Sequence, residues 1–259
     1  MLSPQTISIM RSNKRPQETL AFVLGIILIG CLIQAAGWMK NDRLVFPDVF
    51  SILRAFFHLL GDPKTWLQIR TTMVHLLAAM AVSTVFGLLI GLAEGYSDFV
   101  HALLRPLMVM LRSIPMLVLV VIIMVLTKYE RVPLIAASLI LIPMISEAVC
   151  EGCRHIDGDL IDVYRLSSNF NLRVLWNVHL PLMAGYLKQA YISAVGMGLK
   201  LVVSTEYMVQ TRNSLGKAIN TSIYFNEYED IYAYALIMIL LVVIVSELPL
   251  WLMSLTSKE

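Results

Sequence analysis

The sequence predicts an all-α, polytopic integral membrane protein, and three observations carry this prediction. Of its 259 residues, 58% are hydrophobic and only 15% are charged. Soluble domains carry about 25% charged residues, so this chain has too few charges to cover a solvated surface. Its mean hydropathy is +0.75, and several uncharged runs approach the length of about 20 residues that a helix needs to cross a bilayer core. The composition therefore argues against a soluble enzyme and a disordered segment.

Six apolar runs predict six transmembrane helices. They cover residues 20–39, 73–93, 114–127, 132–146, 178–203 and 231–255. The stretches 40–72, 94–113, 147–177 and 206–230 are interpreted as connections between these helices. No repeat or low-complexity segment divides the chain, so we expect one domain over 1–259 with a short tail at 1–18.

The charge balance and the cysteine count exclude two further classes. Twenty basic residues against 18 acidic ones give a formal net charge of +2, which is too balanced for a nucleic-acid partner. Three cysteines cannot form a disulfide framework. Lys and Arg residues are shared so evenly between the two predicted sides that charge favours a cytoplasmic N-terminus only weakly.

No catalytic motif is found, and we expect no catalytic residue. Ser214 to Ala218 contains a Gly-Lys pair but lacks the upstream Gly and the following Ser or Thr of a phosphate-binding loop. His-Glu-x-x-His and Gly-x-Ser-x-Gly sequences are also missing. The chain is therefore not expected to hydrolyse ATP by itself.

A group of potential metal ligands follows the fourth run. Cys150, Cys153 and His155 supply three ligand types, with Asp157 or Asp159 as a fourth. A second Cys/His pair is missing, and cysteine is a common small apolar filler at a helix end. We therefore expect no metal ligand among these residues.

Glycines and charged residues in the apolar runs suggest packing and transport roles. Gly87, Gly91 and Gly95 recur every four residues on one helix face, where small residues let two backbones approach closely. This predicts helix packing, either within the chain or between subunits. Charges in membrane helices are costly and often functional. Lys200 and Glu206 are the candidate residues of a translocation path, although interfacial snorkelling would also explain Lys200.

The connection 147–177 has the pattern of a docking platform. Leu160, Val163 and Tyr164 share one helical face, and Asp162 and Arg165 lie off it. A turn at Ser168-Asn169 and a second amphipathic piece then lead to Leu180-Pro181. Two short surface helices of this kind suit a cytoplasmic partner, and the alternative is an interfacial helix pair without a partner.

These residues resemble the permease subunits of binding-protein-dependent ABC importers. The family signature is Glu-Ala-Ala, three residues, Gly, nine residues, Ile-x-Leu-Pro. Asp162-Val163-Tyr164, Ser168, Val178 and Leu180-Pro181 stand at these spacings, with bulkier residues for both alanines and Ser for Gly.

Further segments extend the resemblance over about 70–255, and it is closest to the nitrate, sulfonate and taurine subgroup. The matching segments are Gly87 to Gly91, Leu104-Arg105-Pro106, Leu111 to Pro115, Glu206 and Leu215-Gly216.

The resemblance implies a six-helix subunit of a bacterial inner membrane, with both termini cytoplasmic. It would pair with a second permease subunit, identical or different. Two ATP-binding subunits would dock on the 155–177 loop and hold ATP and Mg, so this chain itself would need no cofactor. An extracytoplasmic binding protein would deliver a small solute. The residues expected to couple to the ATPases are Asp162, Val163, Tyr164, Arg165, Ser168, Asn169, Leu180 and Pro181.

Two other functions remain open at this stage. The first is an ion-coupled carrier in which Lys200 forms a relay with Glu206 or Glu247; its uptake would survive ATP depletion and stop with the proton gradient. The second is a membrane receptor or scaffold that transports nothing. The departures from the family signature at Val163, Tyr164 and Ser168 favour this alternative.

Overall fold

The computed structural model describes residues 47–155 and 180–256, with side chains up to residue 246. The predicted helix 20–39 and the coupling residues from Asp162 to Asn169 lie outside these residues, as does the side chain of Glu247. No strand occurs in the two described ranges.

The elements are eight α-helices within the described ranges. They are α1 Val49–Gly61, α2 Pro63–Tyr96, α3 Asp98–Ser113, α4 Met116–Leu126, α5 Val132–Arg154, α6 Ala184–Val209, α7 Leu215–Tyr224 and α8 Tyr228–Thr256. A 3-10 turn at Tyr129–Arg131 precedes α5, and a helical turn at Leu180–Leu182 precedes α6.

Side-chain caps set the starts of three helices. Asp62 accepts a hydrogen bond from the Lys64 amide at 2.9 Å, and Pro63 occupies the first turn of α2, where its missing N–H costs nothing. Ser97 caps α3 and Ser214 caps α7 in the same way. These caps satisfy amide groups that have no partner inside the helix.

The core of the bundle consists of α2, α5 and α6. α2 and α5 run parallel, because Gly87 lies against Ile145 and Gly95 lies against Cys153. α6 runs antiparallel to both, since Gly198 faces the middle of α2 while Met183, just before α6, faces the end of α5. We call the end of the bundle where α2 begins the Pro63 end and the opposite end the Tyr96 end.

Four helices of the described ranges are long and apolar enough to cross a membrane, namely α2, α5, α6 and α8. α3 and α4 have only 16 and 11 residues, so they are long enough to cross a membrane only when taken together. The pair is bent by 100° at the short break between them. Large apolar side chains such as Leu89, Val125 and Ile239 are exposed. Lipid would cover such a surface, so the fold is that of a polytopic membrane protein.

The connection predicted over 94–113 is wrong, because α3 fills most of it. Two of the charged residues that made this stretch resemble a loop are paired with residues of α5. Arg112 lies 2.6 Å from Glu147, and Asp98 lies 2.8 Å from Arg154. Pairing lowers the cost of charged groups on a helix that packs beside the core.

Three other predicted connections contain helices too. The stretch 40–72 holds α1 and the start of α2, the stretch 206–230 holds α7, and α5 continues through Arg154 into 147–177. The predicted helix 114–127 is not a span by itself, since α4 has only 11 residues. The predicted helix 178–203 is displaced, because α6 starts after the Leu180–Leu182 turn and continues past Glu206.

Candidate translocation and coupling sites

Glu206 is the centre of a buried polar cluster near the Pro63 end. Its side chain is 0% exposed and belongs to the last turns of α6. One carboxyl oxygen lies 2.7 Å from His75 Nδ1, and the other accepts hydrogen bonds from Thr72 Oγ1 at 2.8 Å and from the Gly216 amide at 3.3 Å. A buried carboxyl group is costly unless it is hydrogen-bonded in this way.

The same cluster anchors the start of α7. Thr72 Oγ1 donates to Glu206 and accepts a hydrogen bond from the Leu215 amide at 3.0 Å. A Cβ atom at Gly216 would collide with the backbone of Val203 and Tyr207, so only glycine allows α7 to lie this close to α6. Glu206 and Leu215-Gly216, which both belong to the family resemblance in the sequence, are therefore in direct contact in the structure.

The turn between α6 and α7 is closed by local bonds. Gln210 and Asn213 adopt left-handed backbone angles, with φ of 51° and 54°, a conformation that polar residues such as Asn tolerate best. The Thr211 amide donates to the Glu206 carbonyl at 3.2 Å. α7 is therefore held against α2 and α6 rather than carried on a free loop.

Lys200 and Glu206 are not brought together. Lys200 is exposed, whereas Glu206 is fully buried and its three partners come from α2 and α7. Because the two residues occupy different faces of α6, the described residues show no direct relay between them.

Gly87, Gly91 and Gly95 all lie against α5. A Cβ at Gly91 would stand 2.5 Å from the Ser146 carbonyl oxygen, and one at Gly95 would stand 2.5 Å from Cys153 Cβ. The close approach is therefore between two helices of the same chain.

The Cys150, Cys153 and His155 side chains diverge. Cys153 Sγ is 3.3 Å from Met183 Sδ, and His155 is exposed and bonded to the Glu151 carbonyl at 2.8 Å. Cys150 instead faces α3, where its Sγ lies 3.8 Å from His101 Nδ1. These three residues are not assembled around one point.

The Tyr96 end has a cavity of about 400 Å³ between α2, α3 and α5. Arg112 crosses it to Glu147 and also donates to the Pro143 carbonyl at 3.1 Å. Glu94, only 4% exposed, accepts a hydrogen bond from Ser146 Oγ at 3.1 Å. The cavity is thus lined by polar and charged groups at the edge of the apolar bundle.

Leu180 and Pro181 are the only predicted coupling residues in the part of the chain that the structure describes. They form the helical turn that leads into Met183, which is 0% exposed. Met183 packs on Gly152 and Cys153 at the end of α5. The two chain ends that flank 156–179 therefore meet at one buried contact.

Sequence reasoning missed the partners of both buried acids. His75 and Thr72 are polar residues one helical turn apart near the start of an apolar run. This spacing places both on one helix face and could have indicated a buried polar partner. Ser146, the partner of Glu94, is 52 positions away, and no local pattern links the two.

Comparisons with known proteins agree with this architecture. Residues 83–258 match the family model described as "Binding-protein-dependent transport system inner membrane component". Among solved structures, the fold resembles a chain of the MetNI methionine ABC transporter in an inward-facing conformation, with a TM-score of 0.58 and 19% identity over 71% of this chain and 94% of that chain. A search of curated protein sequences finds no significant match. The chain belongs to the family of inner membrane components of binding-protein-dependent transport systems, and it is the permease subunit of an ABC importer.

Proposed function

We propose that this permease subunit pairs with a second permease subunit and with two ATP-binding subunits, in a bacterial inner membrane with both of its termini in the cytoplasm. The ATP-binding subunits hold ATP and Mg and dock on the segment from Asp162 to Asn169. A small solute arrives from an extracytoplasmic binding protein. The nitrate, sulfonate and taurine subgroup, which the sequence resemblance favours, is part of the proposal.

The observation that carries this proposal is the Met183 contact. A docking segment transmits force only if both of its ends are tied to the helices that must move. The turn after 156–179 is tied to α5 because Met183 is fully buried against Gly152 and Cys153. A displacement of the docked segment would therefore move α5 and α6 together, and α2 would follow through its glycine face.

The mechanism needs no covalent chemistry in this chain. ATP binding would bring the partner subunits together and shift the docking segments, and the helical core would then alternate between inward-open and outward-open states. Asp162 would pair with a basic residue of the ATPase, and Tyr164 would fill a groove on it.

The opposite end suits contact with a binding protein. A polar hollow of about 320 Å³ lies at the Pro63 end between α1, α2, α7 and α8. Charged groups of both signs line it, including Asp62, Lys64, Lys217 and Asp230. Because Glu206 fixes α7 beside this hollow, a protein that docks there would act directly on the core helices.

Co-purification tests the docking segment. The tagged full-length chain is isolated from native membranes, and the bound ATP-binding subunit is quantified by mass spectrometry and by ATP hydrolysis. The Asp162→Ala, Tyr164→Ala double variant should remain in the membrane but lose the ATPase. Glu130→Ala, an exposed change at the Pro63 end, is the matched control and should keep it. Equal ATPase recovery from the double variant and the wild type would refute the assignment.

A further inference from the structure

Three potential metal ligands meet at the Tyr96 end. A carboxyl oxygen of Glu94, a ring nitrogen of His101 and the sulfur of Cys150 all lie within 4.8 Å of one another. They come from α2, α3 and α5, and the transport mechanism above uses none of them. We propose that Glu94, His101 and Cys150 bind a zinc-class divalent transition-metal ion.

The spacing of the ligand atoms fits tetrahedral coordination. Zinc binds sulfur at about 2.3 Å and imidazole nitrogen at about 2.05 Å, which separates the two atoms by about 3.6 Å in a tetrahedron. Cys150 Sγ and His101 Nδ1 are 3.8 Å apart. The Glu94 oxygen completes three protein ligands within reach of one ion.

The ligand types select the class of metal. A thiolate and an imidazole favour zinc and its transition-metal neighbours, whereas magnesium and calcium prefer oxygen ligands alone. All three ligand residues also line the 400 Å³ cavity. Water can therefore supply the fourth ligand, as in zinc sites with one open position.

Most of the positive charge around the site is balanced by acids. Arg154 is paired with Asp98 at 2.8 Å and Arg112 with Glu147 at 2.6 Å, while Arg105 also lines the cavity. Arg154 also hydrogen-bonds the Cys150 sulfur, and a bound metal ion would take its place as the partner of that sulfur. The Ser146 hydroxyl donates to Glu94 at 3.1 Å and orients its carboxyl group. Metal ligands are commonly held by an outer hydrogen bond of this kind.

Cys153 shows what a purely structural cysteine looks like in the same helix. Its sulfur lies 3.3 Å from Met183 Sδ, and its side chain lies against Gly95 of α2. Cys150 differs because its sulfur faces an imidazole and a carboxyl group at the rim of a cavity. The two residues therefore form a matched test pair.

Binding would tie α3 to the core. α3 leads into the 100° bend before α4, and an ion shared by α2, α3 and α5 would hold the bent pair in place. This consequence is independent of the ATPase partners, so the site can be tested on the isolated full-length chain.

Cobalt spectroscopy of the purified full-length chain in detergent is the experiment, with cobalt chloride as the probe and zinc chloride as the competitor. We expect a thiolate-to-cobalt charge-transfer band that zinc removes. Cys150→Ser should abolish the band, and His101→Gln and Glu94→Gln should weaken cobalt binding by at least about tenfold, because each removes one of three protein ligands.

The controls are Cys153→Ser, Cys31→Ser and His155→Gln, which should leave the band and the affinity unchanged. Size-exclusion elution at the wild-type volume confirms folding of each variant. If Cys150→Ser fails to fold, the cobalt affinity of His101→Gln, a change at a less buried residue, tests the proposal instead. Absence of the band in the wild type, its persistence in Cys150→Ser, or unchanged affinity in His101→Gln would overturn the proposal.

Discussion

At the scale of single residues, Glu206 has the clearest role. It is fully buried, and it joins α2, α6 and α7 through His75, Thr72 and the Gly216 amide. The sequence marked Glu206 as a charged residue at a helix end and as a family position. It did not show the partners, because His75 is 131 positions away and only the folded chain brings the two together.

Two substitutions of Glu206 should distinguish the contribution of its hydrogen bonds to stability from the contribution of its charge. Glu206→Ala leaves the Thr72 hydroxyl and the Gly216 amide without their acceptor, which should lower the free energy of unfolding by about 1–3 kcal/mol. Glu206→Gln keeps an acceptor and should cost less. Unfolding titrations in mixed micelles measure the difference, with the exposed Glu229→Ala as control. A loss in Glu206→Ala no larger than in the control would contradict the anchoring role.

At the scale of helices, the α2–α5 contact defines the core. Sequence periodicity indicated a packing face at Gly87, Gly91 and Gly95, and the structure places α5 against it. Helices with long uncharged runs, such as α2 and α8, were recognisable from composition. α3 and α7 were not, since α3 carries paired charges and α7 has only 10 residues.

A side chain at Gly91 should separate α2 from α5. Its Cβ would stand 2.5 Å from the Ser146 carbonyl oxygen and 2.6 Å from Val149 Cβ, so Gly91→Val should destabilise the fold by about 1–3 kcal/mol through overpacking.

Gly196→Ala is the matched control for this prediction. A Cβ at Gly196 meets only Val242 Cγ1 at 3.9 Å, and alanine improves helix propensity by up to about 1 kcal/mol. Stability in mixed micelles should therefore be unchanged or raised. If Gly91→Val were as stable as Gly196→Ala, the close packing of α2 on α5 would be disproved.

Met183 should couple the docking segment to the core. Met183→Ala removes a fully buried side chain from its contact with Gly152 and Cys153, which loosens the link between the segment and α5. The purified complex should still contain the ATPase, but hydrolysis should drive less transport per ATP. Leu182→Ala, an exposed neighbour, serves as control, and an unchanged transport-to-hydrolysis ratio in Met183→Ala would exclude this coupling path.

At the scale of the whole molecule, the composition and the missing motif indicate that this chain spans the membrane and that another subunit hydrolyses ATP. Composition alone predicted a membrane protein, and the missing phosphate-binding loop predicted that ATP hydrolysis belongs to another subunit. Two polar cavities lie at opposite ends of the bundle, one lined by Glu94 and Arg112 and the other beside α7. The identity of the solute was not predictable, because no local sequence pattern reports the shape of a translocation path.

ATP hydrolysis by the complex from native membranes, reconstituted in nanodiscs, tests the central claim most directly. We expect vanadate-sensitive hydrolysis that co-elutes with the full-length chain, rises when the solute-loaded binding protein is added and disappears with the Asp162→Ala, Tyr164→Ala variant. Hydrolysis that is absent from the purified chain and its partners, while solute uptake into the same membranes persists without ATP and stops with the proton gradient, would contradict the account.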